Sequence, residues 1–231
     1  MNIVVATQKP IQALNLIYLL GGMDVFPAAI IFVSTGDSHK KLGLMDESKE
    51  SLSALKFQCQ VLNIPFYSVE NIQSQSSIAL LLSMEIDLIL SLVTSIILKD
   101  VFINTSKYGV VSSHGGLLPE YRGVDCLRWA ILHGERYVGM STQLIDSGVD
   151  TGAIISTSVI NLVDMLPCTV SDLSRTIFYQ KKLYTLLDPV RQLIKNGKIK
   201  TKDQSDSDGR QYFSMHQELS KIVNLVLSGN E

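Results

Sequence analysis

The sequence holds little cysteine, little charge and no long uninterrupted apolar run. Cysteine occurs three times, as Cys59, Cys126 and Cys168. The number is odd and the spacing wide, and no CxxC or Cys/His pair has metal-ligand spacing. Neither a disulfide framework nor a metal site is expected. Each cysteine is read as buried packing, in the reducing conditions of a cytoplasmic protein. Charged residues make up 18% of the chain and the formal net charge is −2. No strong basic field exists to recruit nucleic acid or an anionic membrane. The apolar run Ile78–Leu98 is broken by Glu85 and Asp87, so it reads as a helix and a buried strand rather than a membrane span. The first residues, MNIVVATQKP, lack a basic leader and read as a first strand rather than a signal peptide. Internal repeats and low-complexity tracts are absent too.

What is present suits a buried core. Hydrophobic residues make up 46% of 231, enough for one α/β domain over residues 1–196 with a small C-terminal tail and helix over 197–231. Short apolar runs at Asn2–Ala6, Ala28–Val33, Pro65–Val69, Asp87–Leu92 and Tyr108–Ser112 read as strands. Helical patterns at Ile11–Leu20, Lys49–Leu62 and Ser76–Met84 separate them, and Ser34–Met45 reads as a loop. This alternation predicts a Rossmann-like, doubly wound, mostly parallel sheet. Further on come a helix at Asp125–Leu132 and two strands at Gly139–Ile145 and Ala153–Ile160. A long amphipathic helix is expected over Thr169–Asn196, a polar exposed stretch over Lys200–Gln211 and a terminal helix over Ser214–Leu227. Exposed apolar residues in Thr169–Leu227 leave a homodimer open.

Ligands of doubly wound sheets bind beyond the carboxyl ends of the strands. His114-Gly115-Gly116-Leu117-Leu118-Pro119 begins at such an end. Two glycines let the backbone approach a ligand closely, and imidazole titrates near neutrality. His114 is therefore either a proton carrier or a histidine that only bonds loop backbone. Asp146-Ser147-Gly148-Val149-Asp150-Thr151-Gly152 lies between two apolar strands. It is either ordinary turn chemistry, or the source of a carboxylate, Asp150, that orients the imidazole or a water. His39, His133 and His216 have no partner spacing and read as surface or structural. Trp129 reads as core packing, and Glu120 lies beside the site without an acidic partner.

Taken in order, SSHGGLLPEYRG, WAILHGERYVG and DSGVDTGAII resemble the active-site region of the folate-dependent formyltransferases. That family acts on glycinamide ribonucleotide, methionyl-tRNA or nucleotide-linked sugars. The resemblance implies formyl transfer from 10-formyltetrahydrofolate to an amine, without a metal. It makes His114 and Asp150 the catalytic histidine and aspartate. It places the folate against Leu92, Val93, Thr94, Ser95, Ile96 and Ile97, mostly through backbone groups, with Leu118 and Asp146 beside it. The Leu117–Gly123 loop borders the site. Arg122 is either a partner for a substrate phosphate or a structural clamp, and the clamp is favoured.

Two positions depart from the family pattern. Ser112 stands where the family has a catalytic asparagine that donates to the formyl oxygen, and Gln143 where many relatives have histidine. A serine hydroxyl is a shorter donor. Either water fills the gap, or a shifted substrate uses the hydroxyl, or the protein is a slow, non-catalytic or altered folate-binding relative.

The acceptor follows by elimination. A glycinamide ribonucleotide enzyme of purine synthesis would carry a glycine-rich phosphate loop after the first strand, where this chain has Ala6-Thr7-Gln8-Lys9-Pro10. A methionyl-tRNA enzyme would carry a further C-terminal β-rich domain and a basic surface, and a related folate hydrolase an N-terminal regulatory domain. The expectation that remains is a small amine, a nucleotide-linked amino sugar of bacterial surface-polysaccharide synthesis.

Overall fold

The computed structural model describes residues 1–34, 49–93, 96–174 and 181–228. The expected loop Ser34–Met45, with His39, lies outside them from residue 35 on, as do Thr94 and Ser95. Strand order is β3 (Phe66–Val69), β2 (Ala29–Val33), β1 (Ile3–Thr7), β4 (Leu88–Leu92), β5 (Val110–His114), β7 (Tyr137–Leu144) and β8 (Ile154–Asn161) in one seven-stranded sheet, with β6 (Tyr121–Gly123) and β9 (Arg210–Tyr212) forming a separate pair. By internal contacts the chain divides into two compact units, Met1–Ser112 and Ser113–Glu231.

In the first unit β1 (Ile3–Thr7), β2 (Ala29–Val33), β3 (Phe66–Val69), β4 (Leu88–Leu92) and the start of β5 (Val110–His114) run parallel. Every residue of β1 and β4 is buried. Strands covered on both faces need continuous apolar sequence, which is why these read as runs rather than alternations. Helices α1 (Pro10–Gly21), α2 (Lys49–Val61), α3 (Gln75–Leu82) and the short α4 (Asp100–Ile103) lie between the strands. In α1, Ala13, Leu16, Ile17 and Leu20 recur at helical spacing and are buried. Pro10 opens that helix, where its missing N–H costs nothing. Ser74 caps α3 by accepting the Ser77 N–H. The described residues of the run Ile78–Leu98 hold the end of α3 and the strand β4, and no described helix is long and apolar enough to cross a membrane.

The second unit holds the end of β5, then β6 (Tyr121–Gly123), α5 (Cys126–Leu132) and an antiparallel hairpin of β7 (Tyr137–Leu144) and β8 (Ile154–Asn161). Short helices α6 (Val170–Ser174) and α7 (Lys182–Thr185) precede α8 (Leu187–Asn196), β9 (Arg210–Tyr212) and α9 (Gln217–Ser228). Leu127, Ile131, Met140, Val223 and Leu227 share its core.

Two expectations fail here. The helix expected over Thr169–Asn196 is not continuous, because it turns at Leu186 and restarts at Leu187. Pro189 explains the restart. It cannot donate to the previous turn, and it is tolerated only in the first turn of a new helix. Residues 175–180, with the expected core position Ile177, lie outside the described ones. The polar stretch 200–211 is not uniformly exposed either. Gln204 is half-buried, and Arg210 begins β9, which pairs in parallel with β6.

Candidate active site

Strand β5 delivers His114 at its carboxyl end, and alternation along the strand sorts its neighbours. Ser113 points into the second unit, where its hydroxyl bonds those of Thr142 (2.9 Å) and Thr185 (2.8 Å). Ser112 and His114 share the opposite face. Ser112 is half-buried and stands in register with Ser91 of β4.

The His114 ring is gripped on two sides. Its Nε2 lies 2.7 Å from the Tyr121 carbonyl oxygen. A carbonyl only accepts, so Nε2 carries a proton there. Its Nδ1 lies 3.3 Å from Asp150 Oδ2. That contact is attractive when a proton lies between the two groups. The side chains are 9% and 22% exposed, which leaves the carboxylate an opening to solvent.

Asp150 is itself held by donors. The Gly123 N–H reaches Oδ2 at 3.0 Å, and Gln143 Nε2 reaches Oδ1 at 2.8 Å. Asp150 adopts a left-handed backbone, φ 55°, which aspartate tolerates better than most residues. Gln143 is buried beside an irregularity in the β7–β8 register, and its Oε1 has no hydrogen-bond partner. A buried acceptor without a donor is costly unless a ligand completes it. An incoming ammonium or amide N–H has the matching chemistry.

The loop after His114 is built to fit the ring. A Cβ on Gly116 would lie 2.7 Å from the Tyr121 carbonyl, 2.8 Å from His114 Nε2 and 2.9 Å from Cys126 Cβ. Ser141, buried in β7, donates to the Gly116 carbonyl (2.9 Å) and accepts the Leu118 N–H (2.8 Å). Burial, then the negative charges of Asp150 and Asp125, push the Cys126 thiol up to about 12, so it is no nucleophile. Tyr121 donates its hydroxyl to Glu135 (2.9 Å) and stacks on Tyr212. Burial first, then Glu135, pushes its pKa well above the usual tyrosine range and keeps the phenol neutral. His133 and Trp129 pack against that same Tyr212 ring.

The remaining expected residues are placed as follows. Leu92, Val93 and Leu118 are buried, Ile96 is half-buried and Ile97 is 63% exposed. Asp146 is exposed and its carboxylate accepts from the Gly148 N–H and the Thr151 hydroxyl, within its own turn. Arg122 is 6% exposed and faces Gln204 and Ser205. Sequence reasoning missed Gln204 and Ser141, and it noted Gln143 only as a departure. A serine in an apolar strand and a glutamine in a polar tail carry no local signal. The Tyr121 carbonyl and the Gly123 N–H are backbone groups, which residue type cannot flag.

A mostly parallel sheet thus carries a histidine at a strand end, with an aspartate returned to it by a hairpin loop. The formyl transferase family model matches residues 1–184, and the chain belongs to that family. A methionyl-tRNA formyltransferase of Synechocystis sp. is 33% identical over 161 residues, 68% of this chain and 47% of that protein. The chain thus spans about half the length of the curated relatives it matches. An N-formyltransferase from Helicobacter canadensis, solved with folinic acid and dTDP-3-aminofucose, superposes with a TM-score of 0.64 at 20% identity, covering 92% of this chain and 70% of that one. Phosphoribosylglycinamide formyltransferase from Anaplasma phagocytophilum gives 0.64 at 16% identity, covering 92% and 99%. These two share the fold.

Proposed function

We propose that this chain transfers a formyl group from 10-formyltetrahydrofolate to the amine of a small acceptor, a nucleotide-linked amino sugar. The observation that carries the reading is the His114–Asp150 pair, 3.3 Å apart and held by the Tyr121 carbonyl, the Gly123 N–H and Gln143. Family membership supports the reaction class.

The reduced folate supplies the formyl carbon that the amine attacks. The residues supply proton handling and charge. As the amine bonds to that carbon it gives up one proton, and the nitrogen that departs takes one up. The Asp150 carboxylate, which opens to solvent, takes that proton and passes it on, and His114 against its Oδ2 holds the carboxylate in place for it. The unpartnered Gln143 Oε1 receives an N–H of the incoming amine. Ser112, on the same face of β5 as His114, offers only a short donor toward the oxygen where negative charge builds. Leu92–Ile97, following the carboxyl end of β4, remain the proposed folate-side segment. Exposed Ile97 offers an apolar surface there.

The acceptor class is supported by the β1–α1 connection. Only Gln8 and Lys9 separate the two elements, without glycine, and Pro10 removes an N–H from the helix start. That is a poor phosphate cradle, which disfavours glycinamide ribonucleotide. Methionyl-tRNA is the second reading, favoured by the names of the curated relatives.

The test is conversion of 10-formyltetrahydrofolate to tetrahydrofolate with a panel of acceptors. The panel holds nucleotide-linked 3-amino and 4-amino sugars, glycinamide ribonucleotide and methionyl-tRNA. One amino sugar should be formylated, and His114→Asn or Asp150→Asn should abolish that turnover while folding survives. Formylation of methionyl-tRNA alone would move the assignment to the second reading, and no formylation of any acceptor would sink the transferase reading. Ser112→Asn should raise kcat by roughly 10²-fold, the worth of one oxyanion donor. An unchanged rate would mean that the hydroxyl or a water already fills that role.

A further inference from the structure

The polar stretch over 200–211 reaches the candidate site through one side chain. Gln204 Nε2 donates to the backbone oxygen of Asp150 (3.1 Å) and to that of Gly152 (2.6 Å). Its Oε1 accepts from Arg122 Nε (3.0 Å), and Arg122 Nη2 donates to the Ser205 carbonyl (2.9 Å). Both donors and the acceptor of the amide are therefore in use. Arg122 is 6% exposed, so its cation is spent on this tail rather than turned to solvent.

The backbone around Gln204 ties the same parts together. Lys202 bridges Ile154 at the start of β8. Arg210–Tyr212 pairs with Tyr121–Gly123 along the whole of β6. Gly209 lies so close to the Pro119 carbonyl that a Cβ would collide with it. Each residue of β6 in turn has a link to the site. Tyr121 offers its carbonyl to His114, Arg122 binds Gln204, and Gly123 donates to Asp150.

Asp150 sits on a turn in a left-handed conformation, and its carboxylate must meet an imidazole at 3.3 Å. Exposed turns of this kind hold such geometry poorly unless their backbone is pinned. Gln204 pins it at two carbonyls, one of them that of Asp150 itself. We propose that Gln204 is a positioning residue for Asp150. It fixes the turn that carries the carboxylate and joins it, through Arg122, to the strand that holds the other side of the pair. The family match ends at residue 184, so this brace comes from beyond the matched region. The proposal rests on the reading of His114 and Asp150 given above.

Two substitutions test it. Gln204→Glu keeps the length and the contact to Arg122, but turns oxygens toward two carbonyls. Gln204→Met keeps the length and removes all three bonds. The first readout is the NMR titration of the His114 imidazole, which needs no substrate. The second is kcat and KM for formylation. In both variants the His114 titration midpoint should shift, and kcat should fall roughly 10-fold with KM within about twofold, as expected when reacting groups lose alignment. A merely structural tail would lower thermal stability and leave both readouts unchanged. A wild-type titration and a wild-type kcat in both variants would overturn the proposal. If the wild type formylates no acceptor, the proposed reaction fails separately, and the titration alone decides for Gln204. If Gln204→Met does not fold, the same readouts on Gln204→Glu decide.

Discussion

Gly116 shows at the scale of one residue how little freedom the candidate site has. The space a methyl group would take is bounded by the Tyr121 carbonyl, the His114 ring and Cys126, all closer than 3.0 Å. Overpacking of this kind costs about 1–3 kcal/mol, and the ring is the movable neighbour. We predict that Gly116→Ala displaces His114 and lowers kcat roughly 100-fold, while the protein still melts cooperatively. Wild-type turnover in this variant would show that the ring position is not critical. The motif was legible here because glycine beside a histidine at a strand end is unusual chemistry. Ser141 was not legible. It anchors the same loop from 25 residues away through the Gly116 carbonyl, and a serine inside GMST carries no mark of that.

At the scale of elements, the short pair of β6 and β9 holds the site together, and it was not anticipated. Three residues are too few to show alternation, and the partner strand lies in a stretch whose polarity suggested exposure. Gly123 is the one position where the pairing constrains residue type. Its φ is +95°, and a Cβ there would run into the Tyr212 carbonyl. Gly123→Ala should destabilise the protein by about 2 kcal/mol or more, read as a lowered urea midpoint. It should also weaken the Gly123 N–H contact to Asp150, seen as a fall in kcat. A variant with unchanged midpoint and rate would show that the pair bears no weight. The long elements were read well by contrast. Strands β1, β2 and β4 and helices α1, α2 and α5 fall within a residue or two of their expected ends, because the strands are short continuous apolar runs and the helices repeat apolar residues at helical spacing. The helix over Thr169–Asn196 was overextended because its apolar spacing continues through Pro189, and one imino acid outweighs that spacing.

At the scale of the whole molecule, buried thiols couple stability to pH. Burial pushes Cys59 up to about 11 and, with Asp150 and Asp125, Cys126 up to about 12, from an ordinary value of 9.0. The folded state therefore holds these protons more tightly than the unfolded chain. Their contribution is complete below about pH 9 and is lost as pH rises through 11 to 12. The denaturation midpoint should fall from pH 9 to pH 11, and less steeply in Cys59→Ala. An identical slope in that variant would remove Cys59 from the account. The same burial predicts that a thiol reagent at pH 8 modifies the partly exposed Cys168 first in the native protein. Simultaneous modification of all three thiols would contradict the packing described.

The sequence by itself determined the parallel α/β class, the strand end that carries His114 and the turn that carries Asp150. Each of these follows from short-range patterns: apolar runs, helical spacing, and glycine beside polar residues. Only the tertiary structure decided how the pair is held. The groups that grip Asp150 stand 7, 27 and 54 residues away in sequence, and one of them, the Gly123 N–H, is backbone. A hydrogen bond depends on where the chain returns rather than on what stands beside it. For that reason Gln143 reads as a minor departure and Gln204 as an exposed residue, until the fold brings the first to the Asp150 carboxylate and the second to its backbone carbonyl.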